Sequence, residues 1–525
     1  MSKNKGTAKK TDYRTGTGLA SLLIVIFYSV RWLLSRKAEY DWISRTTVQT
    51  VSYLIGCAGF IALSFFIIKA AGRLRHEQIF IVLYLVLGLA YMTVSPLSAI
   101  PDETEHMLRT YGITTGDFIP PVNEQGEGGS YCPENLTYLW DRSGVRLKYM
   151  SDNLWMRSSG EKTFQTYSNT AFYSPLTYLP QAAGMLVTRL ICDRPYIIAY
   201  VGRLCELVAS GILIYYAIKL IPFGKNILLL LSLLPMNIYE CASLSGDGMA
   251  YAVTLLIIAY SLWLRYEKKE VMNNKEIVKM YFLLALVASC KIVYAPFVLM
   301  AFVIPPERFG GKKQYFIHII CAGIMIVLLA VGWPVLIGSR YLLEYMEGVS
   351  ASAQTVYVIT HPWSFVQVMF YTLIQEGEWL VKTYFGLSLS YFNVDCSILV
   401  LFISAGSLIY ACCFERLIKY EDETVLSIWK RPTVILGAAT VLSIIFTFLS
   451  LYIEWTPYRA ESVLGLQGRY FIPLTFQTVY LLKKKYGRAE TGKEGSAYSD
   501  IMTAPAVCMC AANLIVLVTL FVFYV

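Results

Sequence analysis

Residues 80–106 read FIVLYLVLGLAYMTVSPLSAIPDETEH, and this stretch joins the two features on which the interpretation of the chain depends. Its first part, residues 80–96, is apolar and long enough to cross about 30 Å of hydrocarbon as an α-helix. Just beyond the predicted membrane boundary follow Asp102, Glu103 and His106, two carboxylates and an imidazole. Such side chains act as general acids and bases, so this position suits a reaction on a membrane-borne substrate.

The composition of the whole chain is that of an integral membrane protein. Its 525 residues are 56% hydrophobic and 15% charged, and the mean hydropathy is +0.52. Recurring apolar runs predict an all-α membrane protein with about thirteen transmembrane helices. They lie near residues 18–34, 48–69, 80–96, 198–219, 226–241, 248–264, 281–290 and 292–304 (a tight hairpin), 315–338, 396–414, 433–453, 467–482 and 504–525.

The distribution of Lys and Arg predicts the orientation of these spans, because cytoplasmic loops carry an excess of basic residues. With the basic N-terminal leader in the cytoplasm, the other strongly basic loops also fall inside. This arrangement requires residues 175–190 to lie as a helix at the outer surface instead of crossing. Two large regions, about 98–199 and about 339–395, then face outward and carry juxtamembrane helices. Their many aromatic residues either form an ordinary interfacial belt or line a sugar or lipid site.

Polar residues at the predicted outer ends of helices form a second group of candidates. Each alone is more often a snorkelling or helix-pairing residue than a ligand. Together they supply Lys and Arg for an anionic lipid phosphate and carboxylates for a hydroxyl acceptor. The candidate substrate-binding residues are His106, Arg203, Asp247, Lys291, Tyr294, Gln467, Arg469 and Tyr470.

Five short motifs occur in an order that resembles a known family. They are Pro101-Asp-Glu-Thr-Glu-His106, Tyr173-Ser-Pro-Leu-Thr-Tyr178, Ser245-Gly-Asp247, Lys291-Ile-Val-Tyr294 and Gln467-Gly-Arg-Tyr-Phe471. The chain resembles, over about residues 96–482, a bacterial multi-pass family catalogued as domain of unknown function 2142. That family in turn looks like a branch of the GT-C glycosyltransferases. The resemblance suggests a GT-C-like core at 79–483, preceded by a leader with two extra helices (1–78) and followed by a cytoplasmic loop and last helix (484–525).

The resemblance implies an inverting sugar transfer at the outer face of the bacterial cytoplasmic membrane. The donor would be a polyprenyl-phosphate sugar, and the acceptor a cell-envelope glycan or lipid. Asp102 would be the base, and Lys291, Arg203 or Arg469 would neutralise the departing phosphate. Glu103, the second candidate catalytic residue, and His106 would orient Asp102 or hold a divalent metal. A divalent metal, Mg or Mn, is left open, with Glu103, His106 and Asp247 as its candidate ligands.

One alternative class survives, a secondary transporter or a flippase of lipid-linked glycans, since it too would place charged residues within a helical bundle. The absence of a convincing internal repeat and the clustering of the acids at one surface argue against it. The net charge of +9 belongs to the cytoplasmic loops. Anionic membrane lipids explain that charge, so no nucleic-acid partner is expected.

Overall fold

The computed structural model describes residues 45–71, 73–139, 147–338, 347–415, 432–486 and 497–524. The predicted leader and the first predicted span, residues 18–34, lie outside the described residues. The same holds for the basic loop at residues 416–431.

Most of the described chain is α-helical. In chain order the α-helices are α1 (Arg45–Ala70), α2 (His76–Val94), α3 (Glu103–Thr114), α4 (Leu147–Asn153), α5 (Ser168–Ala171), α6 (Leu179–Ile191), α7 (Pro195–Leu220), α8 (Lys225–Ser232), α9 (Pro235–Cys241), α10 (Asp247–Tyr266), α11 (Asn274–Cys290), α12 (Lys312–Val327), α13 (Trp333–Gly338), α14 (Ala351–Thr360), α15 (Pro362–Gln375), α16 (Gly377–Phe385), α17 (Leu399–Phe414), α18 (Pro432–Glu454), α19 (Thr475–Tyr486) and α20 (Ala497–Tyr524). Short 3-10 helices cover Glu134–Leu139, Pro175–Tyr178, Ile292–Val303, Pro306–Phe309 and Gly468–Leu474, and a π-helical turn, Leu328–Gly332, joins α12 to α13.

Two small antiparallel hairpins interrupt the helical pattern. Strand β1 (Gly129–Pro133) pairs with β2 (Lys162–Thr166), and β3 (Ser388–Leu389) pairs with β4 (Val394–Asp395). One hairpin lies in each predicted outer region. The fold is therefore mainly, but not entirely, α-helical.

Within the described ranges, seven helical segments are long and apolar enough to cross a membrane. They coincide with the predicted spans at 48–69, 80–96, 198–219, 248–264, 315–338, 433–453 and 504–525. Helix α17 and the 3-10 helix Ile292–Val303 are apolar but shorter. The chain is thus a helical membrane protein, whereas the predicted total of about thirteen spans is not confirmed.

Interrupted helices account for part of this difference. The predicted span at 226–241 consists of α8 and α9, separated at Leu233 and Leu234. Pro235 begins α9, and a proline disfavours the helical conformation of the residue before it. Leu234 accordingly has φ −56° and ψ 136°.

Two other predicted spans are also discontinuous. In the hairpin predicted at 281–304, Lys291 is extended, with φ −155° and ψ 123°, between α11 and the 3-10 helix Ile292–Val303. The span predicted at 467–482 begins with the 3-10 helix Gly468–Leu474 and continues as α19. Such interruptions bring polar backbone and ionisable side chains into a helical membrane protein, where they need internal partners.

Helix α6 matches the expectation of a helix that does not cross. Its 13 residues span only about 20 Å at 1.5 Å per residue. One face packs into the protein through residues that include Gln181 and Met185, whereas Leu190 and Ile191 are exposed on the other. A short helix with one exposed apolar face suits a membrane surface.

Polar contacts between distant helices fix the core. Tyr84 of α2 shares a 2.8 Å hydrogen bond with Ser210 of α7. Tyr91 of α2 donates to the Asn513 side chain of α20 at 3.1 Å, and Asn513 donates to the carbonyl of Leu233, where α8 ends. The last helix is therefore tied to the core helices by satisfied buried hydrogen bonds.

Among the glycines that the structure describes, Gly468 leaves the least space for a side chain. A Cβ there would lie 1.8 Å from the carbonyl oxygen of Leu380 and 2.6 Å from the amide nitrogen of Tyr384, both in α16. Since backbone atoms cannot rotate out of the way, Gly468→Ala must push the 3-10 helix that carries Arg469 away from α16. We expect a loss of stability of about 1–3 kcal/mol, typical of overpacking. Thermal unfolding of the purified protein would measure it.

Gly406→Ala is the matched control, because a Cβ at this helical position meets no atom within 4 Å. Alanine is the better helix former, so this variant should be neutral or slightly stabilised. Equal losses of stability in the two variants would contradict the close packing of Gly468 on α16.

Candidate functional site

A buried ion pair holds the loop between α2 and α3. Arg203 of α7 donates through Nε and Nη2 to the two carboxylate oxygens of Glu103 at 2.6 and 2.5 Å. Its remaining N–H groups bond to the carbonyls of Met92, Ser95 and Pro96 at the end of α2. Both side chains are almost fully buried, at 0% and 1% exposure. Arg203 therefore has no donor left for a phosphate.

Both oxygens of the Glu103 carboxylate are likewise hydrogen-bonded. Besides Arg203, it accepts from the backbone amides of Ser98 at 2.9 Å and Leu244 at 3.0 Å. Leu244 lies just before α10, so the pair connects the α2–α3 loop with the start of that helix. These contacts correct the predicted role of Arg203 as a phosphate ligand. The carboxylate of Glu103 does not contact Asp102; with Arg203 it fastens the loop that carries Asp102.

The fastened loop contains two residues with left-handed backbone conformations. Ser98 has φ 65° and Asp102 has φ 63°. Asp tolerates this region better than most residues, but such conformations persist only where the surroundings impose them. Here the constraint is the ion pair between Arg203 and Glu103, because Glu103 directly follows Asp102 in the chain. As a result, the Asp102 side chain is half exposed (50%) at the edge of a buried charged cluster.

Arg469 is the centre of that cluster. Its Nη1 donates to Glu240, its Nη2 lies 3.4 Å from Asp102 Oδ2, and its Nε lies 3.8 Å from Asp247 Oδ2. The Arg469 side chain is only 5% exposed. Because one guanidinium faces three carboxylates, it fixes their mutual positions.

Lys291 completes the cluster from the break after α11. Its Nζ donates to Asp247 Oδ1 at 2.6 Å and lies 4.5 Å from the centre of the Tyr470 ring. Tyr294 donates to the Tyr470 carbonyl at 2.9 Å, which holds the two interrupted segments together. Three carboxylates, Asp102, Glu240 and Asp247, thus face two cations.

A small cavity opens beside this cluster; its empty space of about 280 Å³ includes the open solvent at its mouth. Its lining combines charged, aromatic and apolar side chains: Asn237, Glu240, Asp247, Tyr251, Tyr294, Arg469, Ile472 and Pro473. Such a combination of ring faces and a few convergent polar groups is typical of small-molecule sites.

His106 lies on α3, one turn beyond Asp102. Its Nδ1 shares a 2.6 Å hydrogen bond with the Tyr178 hydroxyl, and its ring stacks against Tyr173. Burial lowers the pKa of His106 to about 4, although the charges of Asp102 and Asp247 act in the opposite direction. The imidazole is therefore neutral near pH 7, a state in which it can accept or donate a hydrogen bond through either nitrogen.

The structure brings together most, but not all, of the predicted residues. Asp102, Asp247, Lys291 and Arg469 form one charged network, flanked by aromatic rings. Gln467 sits beside this network in the chain, with its Oε1 buried and without a hydrogen-bond partner among the described residues. The predicted metal ligands do not converge: no group of three or more His, Cys, Asp and Glu side chains that could hold a metal occurs in the described ranges.

Glu240 is the main site residue that the sequence analysis missed. It is 4% exposed and lies in α9, within an apolar run whose hydropathy predicts an ordinary span. A lone carboxylate within such a run is a recognisable signal, because ionisable groups in membrane segments are costly unless they have a function. Asn237, one turn earlier on α9, also lines the cavity and also went unnoticed.

The buried pair generates a stability prediction. Arg203→Met leaves the Glu103 carboxylate buried without a cation, which typically costs about 3–5 kcal/mol. In a double-mutant cycle with Glu103→Gln, the double variant should lose less stability than the sum of the single losses. Arg189→Met is the control, since Arg189 bonds to the Thr114 hydroxyl and no carboxylate loses a partner there. Thermal unfolding in detergent would check all four proteins; strictly additive losses would contradict the coupling.

The lowered pKa of His106 gives a pH prediction. The unfolded chain binds a proton near pH 6.5 and the folded chain only near 4, so folding stability is full above about pH 6.5 and falls as the pH drops toward 4. The total loss from this group should be about 3 kcal/mol. His106→Gln should flatten the slope of unfolding midpoint against pH in this window. His361→Gln, at an exposed position, should leave the slope as in the wild type; an unchanged slope in His106→Gln would contradict the assignment.

Comparisons with known proteins identify the family but not an activity. A family model described as "Predicted membrane protein (DUF2142)" matches residues 85–477, well over half of the chain and all of the charged cluster. No curated protein and no solved structure matches the chain. The protein therefore belongs to the DUF2142 family of predicted membrane proteins.

Proposed function

We propose that this protein is a membrane glycosyltransferase that moves a sugar from a polyprenyl-phosphate donor to a cell-envelope glycan or lipid acceptor. The observation that supports it best is one half-exposed carboxylate, Asp102, held 3.4 Å from the buried Arg469. Lys291 lies in the same network through Asp247, which it shares with Arg469. A sugar transfer from a lipid phosphate needs a base at the acceptor hydroxyl and positive charge at the leaving phosphate. The resemblance to GT-C enzymes supports the same reaction.

In the proposed step, the acceptor hydroxyl loses its proton to Asp102 as its oxygen attacks the anomeric carbon of the donor. The bond between that carbon and the phosphate oxygen breaks on the opposite face, so the configuration inverts. The bond electrons leave with the polyprenyl phosphate. Asp102 Oδ2 faces Arg469, whereas Oδ1 has no hydrogen bond within the described part of the chain and can receive the proton.

Arg469 and Lys291 would stabilise the charge that grows on the leaving phosphate. Both are already held by carboxylates, Arg469 by Glu240 and Lys291 by Asp247. Cations fixed in advance lower a barrier more than mobile ones, because they need not reorganise during the reaction. A phosphate at this position would share them with their carboxylates.

The proposed location is the bacterial cytoplasmic membrane, with the N-terminus in the cytoplasm and the site at the outer face. The support is the distribution of basic residues along the sequence. The lipid-linked donor would reach the site by lateral diffusion within the membrane. No step of this proposal requires a metal.

A transporter or flippase of lipid-linked glycans is the second candidate, and one observation favours it. Two interrupted segments, α8–α9 and α11 with its following 3-10 helix, meet at the charged cluster through Glu240 and Lys291. Discontinuous helices that surround a charged site are common in secondary transporters. The two candidates differ in whether a covalent bond is broken.

Asp102→Asn separates the two candidates. Purified wild-type protein in detergent, given polyprenyl-phosphate sugars and envelope acceptors, should release free polyprenyl phosphate, and the variant should lose about 10²–10⁴-fold in rate because the base is gone. The readout is the amount of free polyprenyl phosphate by mass spectrometry. Asp193→Asn, at an exposed position of the same outer region, should keep the wild-type rate.

Retention of more than about a tenth of the wild-type rate in Asp102→Asn would remove Asp102 from the base role. Absence of release by the wild type, combined with movement of the lipid-linked sugar across sealed vesicles, would replace the transferase by the flippase.

A further inference from the structure

Residues 348–375 contain no Asp, Glu, Lys or Arg. They include α14 and α15, which are joined at His361. At 1.5 Å per residue the two helices are about 15 and 21 Å long, too short to cross about 30 Å of hydrocarbon. Helices that meet water on one side usually carry charged residues there, and these two carry none.

Helix α15 is apolar on both faces. Its inward face packs into the protein through Phe365 and Val368. Trp363, Phe370 and Ile374 lie on the opposite side at helical spacing and are 71%, 65% and 80% exposed. These three residues are called the apolar stripe. A helix that is apolar all round is normally buried, either in protein or in lipid.

Contacts with α18 place the two helices at the membrane boundary. Helix α18 is a membrane-spanning candidate of 23 residues, about 34 Å long, so its ends lie near the limits of the hydrocarbon. Phe365 of α15 packs on Tyr452 near the C-terminal end of α18, with ring centroids 5.5 Å apart. Just beyond that end, the Tyr458 amide donates to the carbonyl of Gly348 at 2.9 Å. The helix pair therefore lies where α18 leaves the hydrocarbon.

Lipid is the occupant that fits the stripe. The exposed side chains Val441, Leu442 and Phe446 of α18 belong to a membrane span, so the stripe adjoins a surface of the same molecule that already faces hydrocarbon. Protein interfaces combine apolar centres with a polar rim, often with Arg. Residues 348–375 offer no charge for such a rim, whereas acyl chains require none.

We propose that α14 and α15 form a hairpin that lies in the membrane surface, with the apolar stripe inserted among lipid acyl chains on the side of the charged cluster. The next helix, α16, connects this hairpin to Arg469. Thr383 Oγ1 accepts from the Gly468 amide at 2.7 Å, and Trp379 Nε1 donates to the Leu466 carbonyl at 3.0 Å. The lipid contact thereby fixes the depth at which the charged cluster meets the lipid phosphates.

The test observes the surroundings of Trp363. Full-length protein labelled with 5-fluorotryptophan in lipid nanodiscs is measured by fluorine NMR, and the resonance that Trp363→Phe removes belongs to Trp363. Two paramagnetic probes that act by collision are compared: dissolved oxygen, which concentrates in hydrocarbon, and a nickel chelate, which stays in water. The ratio of oxygen to chelate broadening should be several-fold higher for Trp363 than for free 5-fluorotryptophan in buffer.

Phe370→Trp places a second probe on the stripe, about two turns further along α15, and it should show the same preference for oxygen. Trp379, assigned through Trp379→Phe, is the matched control. It lies on the neighbouring α16 with its Nε1 bonded to Leu466, and its ring centroid is 4.6 Å from that of Phe392. Neither probe should broaden its resonance strongly. Thermal unfolding confirms that each variant is folded.

Stronger broadening of Trp363 by the chelate than by oxygen would place the stripe in water and overturn the proposal. Protection of Trp363 from both probes would overturn it as well, since a second copy or another protein would then cover the stripe. The measurement involves no turnover. The lipid contact can therefore stand if the proposed sugar transfer fails, and the transfer can stand if the lipid contact fails.

Discussion

The ion pair between Arg203 and Glu103 is the constraint on which the rest of the site depends. It uses every N–H of the guanidinium and both oxygens of the carboxylate, and it joins the end of α2, the loop before α3 and Leu244, three residues before the start of α10. Two buried charges are costly to desolvate, so such a pair is weak support for stability in itself. Its effect here is geometric, because it holds Asp102 in a left-handed conformation that an unconstrained loop would leave.

The charged network lies where the helices are interrupted, and the two features explain each other. Lys291 is extended between two helical segments, Glu240 lies on the short α9 after a proline break, and Arg469 follows a glycine that allows a close backbone approach. At each interruption the backbone departs from regular α-helical geometry, and an ionisable side chain near it pairs with charged side chains of other segments. Once inside, these charges must pair with one another, because neither lipid nor helix backbone can satisfy them.

The same pairing bears on what the site can do. In the proposed reaction, Asp102 as base and the fixed cations Arg469 and Lys291 would together break a bond to phosphate. Broken helices around a charged centre also occur in transporters, so the arrangement by itself does not separate the two classes. What separates them is whether Asp102 takes a proton from an acceptor.

The sequence by itself determined the class of protein and half of the site. Hydropathy predicts the long apolar helices, because a helix in lipid must hide its backbone and present apolar side chains over a fixed length. The motifs around Asp102, Asp247, Lys291 and Arg469 were recognisable for a similar reason: ionisable residues at the ends of apolar runs are unusual. Only the tertiary structure decided which charges meet. In the tertiary structure Arg203 pairs with Glu103, Glu240 pairs with Arg469, and spans that hydropathy predicts as continuous are interrupted. Pairing between residues 100 or more positions apart leaves no periodic trace in the sequence.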